Sequence, residues 1–191
     1  MPELSLQLIV YLTFVGGFTV AAAYCDLRTK KIPNRLTLPM FGLGLLYQLA
    51  FNGLGEGILR PGLIDSAAAF LAGFGLLWVL WMIGGGGGGD VKLMGALSVW
   101  IGFKPTCLVL AVSTIFVIVG TIGMMVSGVV TNGLFRTKEA YLASGHSPNG
   151  LPPAAETAVQ RQARRIMGYA PPVALATWLV VLWKLPKFPG F

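Results

Sequence analysis

From Leu4 to Tyr24 the chain carries no charged side chain, and a helix of about 20 apolar residues is what it takes to cross the hydrocarbon of a bilayer. Apolar stretches of this kind recur along the sequence. In hydrocarbon no water is present to satisfy a backbone N–H or C=O, so a spanning chain must be helical or a closed barrel. Uncharged runs of this length read as spanning helices, and an all-α integral membrane protein is expected. Composition agrees: 55% of the 191 residues are hydrophobic and 11% are charged, whereas soluble domains carry roughly 25% charged residues.

Six spans are expected: Leu4–Tyr24, Leu36–Phe51 (with Pro39 inside), Ser66–Ile83, a short one from about Val91 to Phe103, Pro105–Val130, and Met167–Trp183, with Trp178 and Trp183 as interface anchors. The first has no basic segment before it and no small-residue cleavage site after it, and is expected to be retained. The whole of 1–191 reads as one polytopic domain with a single long loop at about 131–166. The first half of that loop is rich in Gly, Ser, Pro and Asn. Its second half, Ala154–Ile166, has the pattern of an amphipathic surface helix.

The net charge is +7. The basic residues flank spans rather than forming one face, which argues for a lipid bilayer as partner and against nucleic acid. If six spans alternate, one side receives Arg28, Lys30, Lys31, Arg35, Lys92, Arg136, Lys138, Arg161, Arg164 and Arg165. The other side receives Arg60, Lys104, Lys184 and Lys187. The more basic side is cytoplasmic, which puts both termini outside. Cys25 and Cys107 form no C-x-x-C pair, so neither a disulfide framework nor a cysteine zinc site is expected, and no metal or cofactor is implied.

The same parity places two acids together. Asp26 ends the first span and Asp90 begins the fourth, so both fall at the cytoplasmic edge. A carboxylate at membrane depth is costly, and such residues usually serve a function. Asp90 follows six glycines, Gly84 to Gly89. An N-cap role for Asp90 would need no such run. Glycine permits close approach of a second backbone, and irregular backbone at this depth must line a cavity or be buried, so a wet cleft beside Asp90 is expected. No strand precedes the run and no Gly-Lys-Ser/Thr follows it, so it is not a phosphate loop. Asp26 taken alone would be an ordinary ion-pair partner of Arg28 or Lys30. Two acids at matching depth point instead to acid–base work on a peptide bond or to an ion pathway. The C-terminal end of span one should hold the shared proton on Asp26, and the N-terminal start of span four should favour the ionised form of Asp90. His146, in the long loop, is expected to be solvent-exposed. Glu56 and Asp65 lie with Arg60 at the opposite face.

Asp26–Thr37, read as Asp-x-x-x-x-x-Ile-Pro-Asn-x-Leu-Thr, and Gly87–Met94, read as Gly-x-Gly-Asp-x-Lys-Leu-Met, resemble the two signature segments of the type IV prepilin peptidases, membrane aspartyl proteases of the GxGD class. Gly168–Ala176 is a weaker match, with Gly168 where a proline is usual. The resemblance implies Asp26 and Asp90 as the catalytic pair. Gly87, Gly88, Gly89, Lys92, Pro33 and Asn34 would be supporting or substrate-binding residues. It also implies a bacterial inner-membrane location and, as substrates, precursors of pilins and pseudopilins, cut on the cytoplasmic side of their hydrophobic helix. Larger members of that family also N-methylate the new terminus and carry an insertion with paired cysteines. Segment 26–35 has no room for it, so the chain is similar to the short, peptidase-only form that serves tight-adherence (Flp-type) pili. Two alternatives are an intramembrane protease resembling signal peptide peptidase or presenilin, whose Pro-Ala-Leu motif is absent, and a proton-coupled transporter, for which no two-half symmetry is evident.

Overall fold

The computed structural model describes residues 6–83, 87–132 and 168–184. Among them are six helices: α1 (Leu6–Thr29), α2 (Asn34–Asn52), α3 (Leu63–Met82), α4 (Gly88–Ile101), α5 (Phe103–Asn132) and α6 (Ala170–Lys184). Successive helices reverse direction. Gln7 at the start of α1 donates to Asn52 at the end of α2 (3.2 Å), while at the other end Lys92 near the start of α4 reaches Asn34 at the start of α2.

Helix ends differ from those expected in the sequence. Helix α1 does not stop at Tyr24. It continues through Asp26, and Lys30 closes it with a left-handed φ of 51° and a backbone N–H to the Asp26 carbonyl (2.9 Å). Three helical stretches, Leu6–Thr29, Leu63–Met82 and Phe103–Met124, are long and apolar enough to cross a membrane by length and composition. The other three helices are shorter or less apolar.

Helix α4 is the shortest of the described helices, as the sequence suggested. Its 14 residues extend about 21 Å at 1.5 Å per residue, short of a hydrocarbon core of about 30 Å. It is the central helix, buried from Asp90 to Ile101 except at Lys92, and seated between α2 and α3. A short helix can end inside a membrane protein only if its last carbonyls find donors. Gln48 of α2 donates to the carbonyls of Val99 (3.0 Å) and Trp100 (3.3 Å), and Ser66 of α3 donates to Val99 (2.9 Å).

Packing between membrane helices relies on close contact rather than on the hydrophobic effect, which favours small residues opposite large ones. Gly44 of α2 admits the Trp100 indole, whose N–H donates to the Met40 carbonyl (2.8 Å); a Cβ at Gly44 would lie 2.7 Å from that nitrogen. Gly16 of α1 admits Trp178 in the same way, with 2.8 Å from a Cβ to the ring. Trp178 therefore packs between α6 and α1, whereas Trp183 is exposed.

Asp65 is likewise not a loop acid. It lies in the first turn of α3, 8% exposed, and accepts the N–H groups of Leu59 (2.9 Å) and Phe103 (3.1 Å). It thus ties the α2–α3 connection to the start of α5. Between them Gly102 takes a left-handed φ of 81°, and a side chain there would strike the Asp65 carboxylate. The expected placement of Glu56 and Arg60 at this far end holds, and the two form an exposed ion pair.

Candidate functional site

Two carboxylates are buried at the other end of the bundle. Asp26 faces inward from the last turns of α1 with 6% exposure, and Asp90 is the third residue of α4 with 7%. The wet cleft expected beside Asp90 borders residues 84–86, which lie outside the described residues, as do most of the loop expected at 131–166, the Ala154–Ile166 helix and His146.

Asp90 does not cap α4 from the N-cap position. Gly87 occupies that place, and Gly88 and Gly89 belong to the first turn. Asp90 reaches back instead, its Oδ2 accepting the Gly87 N–H at 3.2 Å. A carboxylate in a first helical turn is favoured by the partial positive charge there. Among the described residues no contact forces a glycine at 88 or 89. Gly87 has φ −108°, open to any residue. A Cβ would meet nothing nearer than 3.6 Å at Gly88 (Trp81) or 3.7 Å at Gly89 (Ile32).

Asp26 is not paired with Arg28, which stacks over the Tyr24 ring at 5.3 Å. Its Oδ2 accepts the backbone N–H of Ala170 at 2.9 Å. Ala170 begins α6, so Asp26 also faces the positive end of a helix, although it sits near the negative end of its own. Helix ends therefore do not separate the two acids as the sequence suggested: each receives an N–H from the start of a helix.

The two signature segments touch. The Ile32 side chain, 8% exposed, lies over Gly89, and Lys92 Nζ donates to Asn34 Oδ1 at 2.8 Å. Pro33 takes the N-cap of α2 in extended conformation (φ −71°, ψ 141°), which turns the chain from α1 into α2 and aims Ile32 inward. Asp26, Asp90, Gly87, Gly88, Gly89, Lys92, Pro33 and Asn34 thus all occupy one end of the bundle. Cys25 is half-buried. A cavity of about 410 Å³ at the opposite end, lined by Gln48, Asn52, Asp65, Lys104 and Lys184 among others, includes no member of either segment.

Sequence reasoning gave little weight to 168–170. The available signal was the departure itself, a glycine where proline is usual. The structure puts that residue against a site carboxylate: a Cβ on Gly168 would lie 2.9 Å from Asp26 Cγ and closer still to Oδ2.

Comparison with known proteins follows the same segments. The profile of the Type IV leader peptidase family matches residues 13–137. A prepilin leader peptidase/N-methyltransferase of Aeromonas hydrophila is 27% identical over 169 residues, which is 86% of this chain and 46% of that protein. One of the same name from Escherichia coli is 30% identical over 121 residues, 60% of this chain and 49% of that protein. The prepilin peptidase EppA of Methanothermobacter thermautotrophicus is 42% identical over 86 residues, 44% of this chain and 22% of that protein. The chain therefore spans about half or less of the length of the curated relatives it matches. No solved structure matches.

Proposed function

Because the chain belongs to the type IV leader peptidase family, we propose that it is a multi-pass aspartyl endopeptidase of the bacterial inner membrane that removes the short basic leader from precursors of pilins and pseudopilins. The observation that carries this reading is the burial of Asp26 and Asp90 at one end of the bundle, in two segments joined by Ile32 on Gly89 and by the Lys92–Asn34 hydrogen bond. That end is the cytoplasmic one by its excess of Lys and Arg, the side on which the scissile bond of such a precursor lies. Residues 1–191 act as one domain.

An aspartyl pair of this kind works with one carboxyl ionised and the other protonated. The ionised one removes a proton from water as the oxygen attacks the scissile carbonyl carbon. The protonated one gives its proton to the carbonyl oxygen. Collapse of the tetrahedral adduct breaks the C–N bond, the amine leaves with a proton, and the pair is left with one proton again. Purified protein in detergent, given a pilin precursor and no ion gradient, should release the leader; failure with a folded, monodisperse sample would favour the transporter alternative.

The glycines at 88 and 89 have room for a methyl group in the resting fold, which supports a role toward substrate, lying beside its extended backbone. Gly89→Ala should melt within a few degrees of wild type, yet cleave about tenfold or more slowly, roughly 1.4 kcal/mol in barrier. Unchanged cleavage would remove the substrate from this part of the site.

The relatives from Aeromonas and Escherichia are named as methyltransferases too, but segment 26–35 holds no cysteine pair. Pilin processed by this chain with S-adenosylmethionine present should carry a free amino terminus. Mass spectrometry showing an added methyl group would overturn the peptidase-only reading.

A further inference from the structure

Gly168 is not among the positive-φ glycines, so its backbone conformation is one that any residue adopts. What requires glycine there is a neighbour. A Cβ would run into the Asp26 carboxylate, 2.9 Å from Cγ. Two residues on, the Ala170 N–H holds Oδ2 of the same carboxylate at 2.9 Å. The turn is itself anchored, since the Tyr169 hydroxyl and the Ser113 Oγ of α5 lie in hydrogen-bond contact at 3.2 Å. One short stretch therefore supplies both a donor for Asp26 and the space it occupies. The donor is one of the N–H groups at a helix start that have no partner within the helix.

We infer that Gly168–Ala170 is the positioning element of Asp26: the missing side chain at 168 and the N–H at 170 fix the carboxylate in one rotamer, with Oδ2 bound and Oδ1 left to face the reaction. These residues act through Asp26 and do not themselves touch the reacting atoms. That they serve catalysis rests on the peptidase reading above, but the contact can be tested without it.

The experiment is a double-mutant cycle on the full chain in detergent, with thermal unfolding as one readout and cleavage of a pilin precursor as the other. Gly168→Ala should lower the melting temperature when Asp26 is present and leave it unchanged in an Asp26→Ala background, where the space has been opened; the coupling is diagnostic of direct contact. With the native aspartate, Gly168→Ala should reduce kcat by about a hundredfold, the scale of a displacement on the order of 1 Å at a reacting group, and leave KM within about twofold, because substrate binding does not involve it. Gly17→Ala, at a glycine with open space around it, should do neither. If Gly168→Ala alone is too unstable to assay, recovery of folding in the Asp26→Ala background is itself the expected result. Additive effects on melting would overturn the inference, as would a folded Gly168→Ala enzyme with native kcat. If wild type fails to cleave while the cycle shows coupling, the peptidase reading fails and the positioning contact stands.

Discussion

Asp26→Asn and Asp90→Asn are each expected to abolish leader cleavage, by about a thousandfold or more, since positioned proton transfer contributes on the order of 10²–10⁴. Asparagine has nearly the shape of aspartate and keeps an oxygen acceptor. The Ala170 N–H on position 26 and the Gly87 N–H on position 90 can both be retained, so the fold should survive. An amide can neither take a proton from water nor give one to the substrate carbonyl. On the paired-acid mechanism, the double mutant should be no slower than either single mutant. The measurement is a precursor mobility shift with purified protein, beside a melting curve for each variant. Cleavage within tenfold of wild type by either folded variant would dismiss the paired-acid mechanism.

Asp65→Ala is expected to give the largest loss of stability, at the end of the bundle away from the chemistry. Two backbone N–H groups, of Leu59 and Phe103, depend on this carboxylate. Leaving a buried donor unsatisfied costs about 1–3 kcal/mol. The Leu59 side is more open to water, so a total of about 2–4 kcal/mol is expected rather than twice the upper figure. Asp65→Asn keeps one acceptor oxygen but turns an NH2 group toward the second donor, and should lose about half as much. Thermal unfolding in detergent ranks the three proteins. At a temperature where the alanine variant is still folded, its specific cleavage should match wild type. An unchanged melting temperature for Asp65→Ala would show that the two hydrogen bonds contribute nothing net. A selective loss of cleavage would link the far end to the site.

What the sequence determined by itself was the helical class, the approximate number of helices and the common end of Asp26 and Asp90. Each follows from local chemistry or from counting. Long uncharged runs must form helices in hydrocarbon, and alternation of direction then brings the end of α1 and the start of α4 to one side. The signature segments at 26–37 and 87–94 were legible because their residues are contiguous. The tertiary structure alone decided which helix is central, how a helix of 14 residues can end within the protein, and what holds each carboxylate. Gln48 and Ser66 close the end of α4 from other helices. Asp65 reads as a surface acid until Phe103 is seen against it. Ala170 lies 144 positions from Asp26, and nothing in either local sequence encodes that meeting. Hydrophobic pattern and span parity are summed over neighbours in the chain, whereas the satisfaction of one buried polar group depends on a single partner brought near only by the packing of helices.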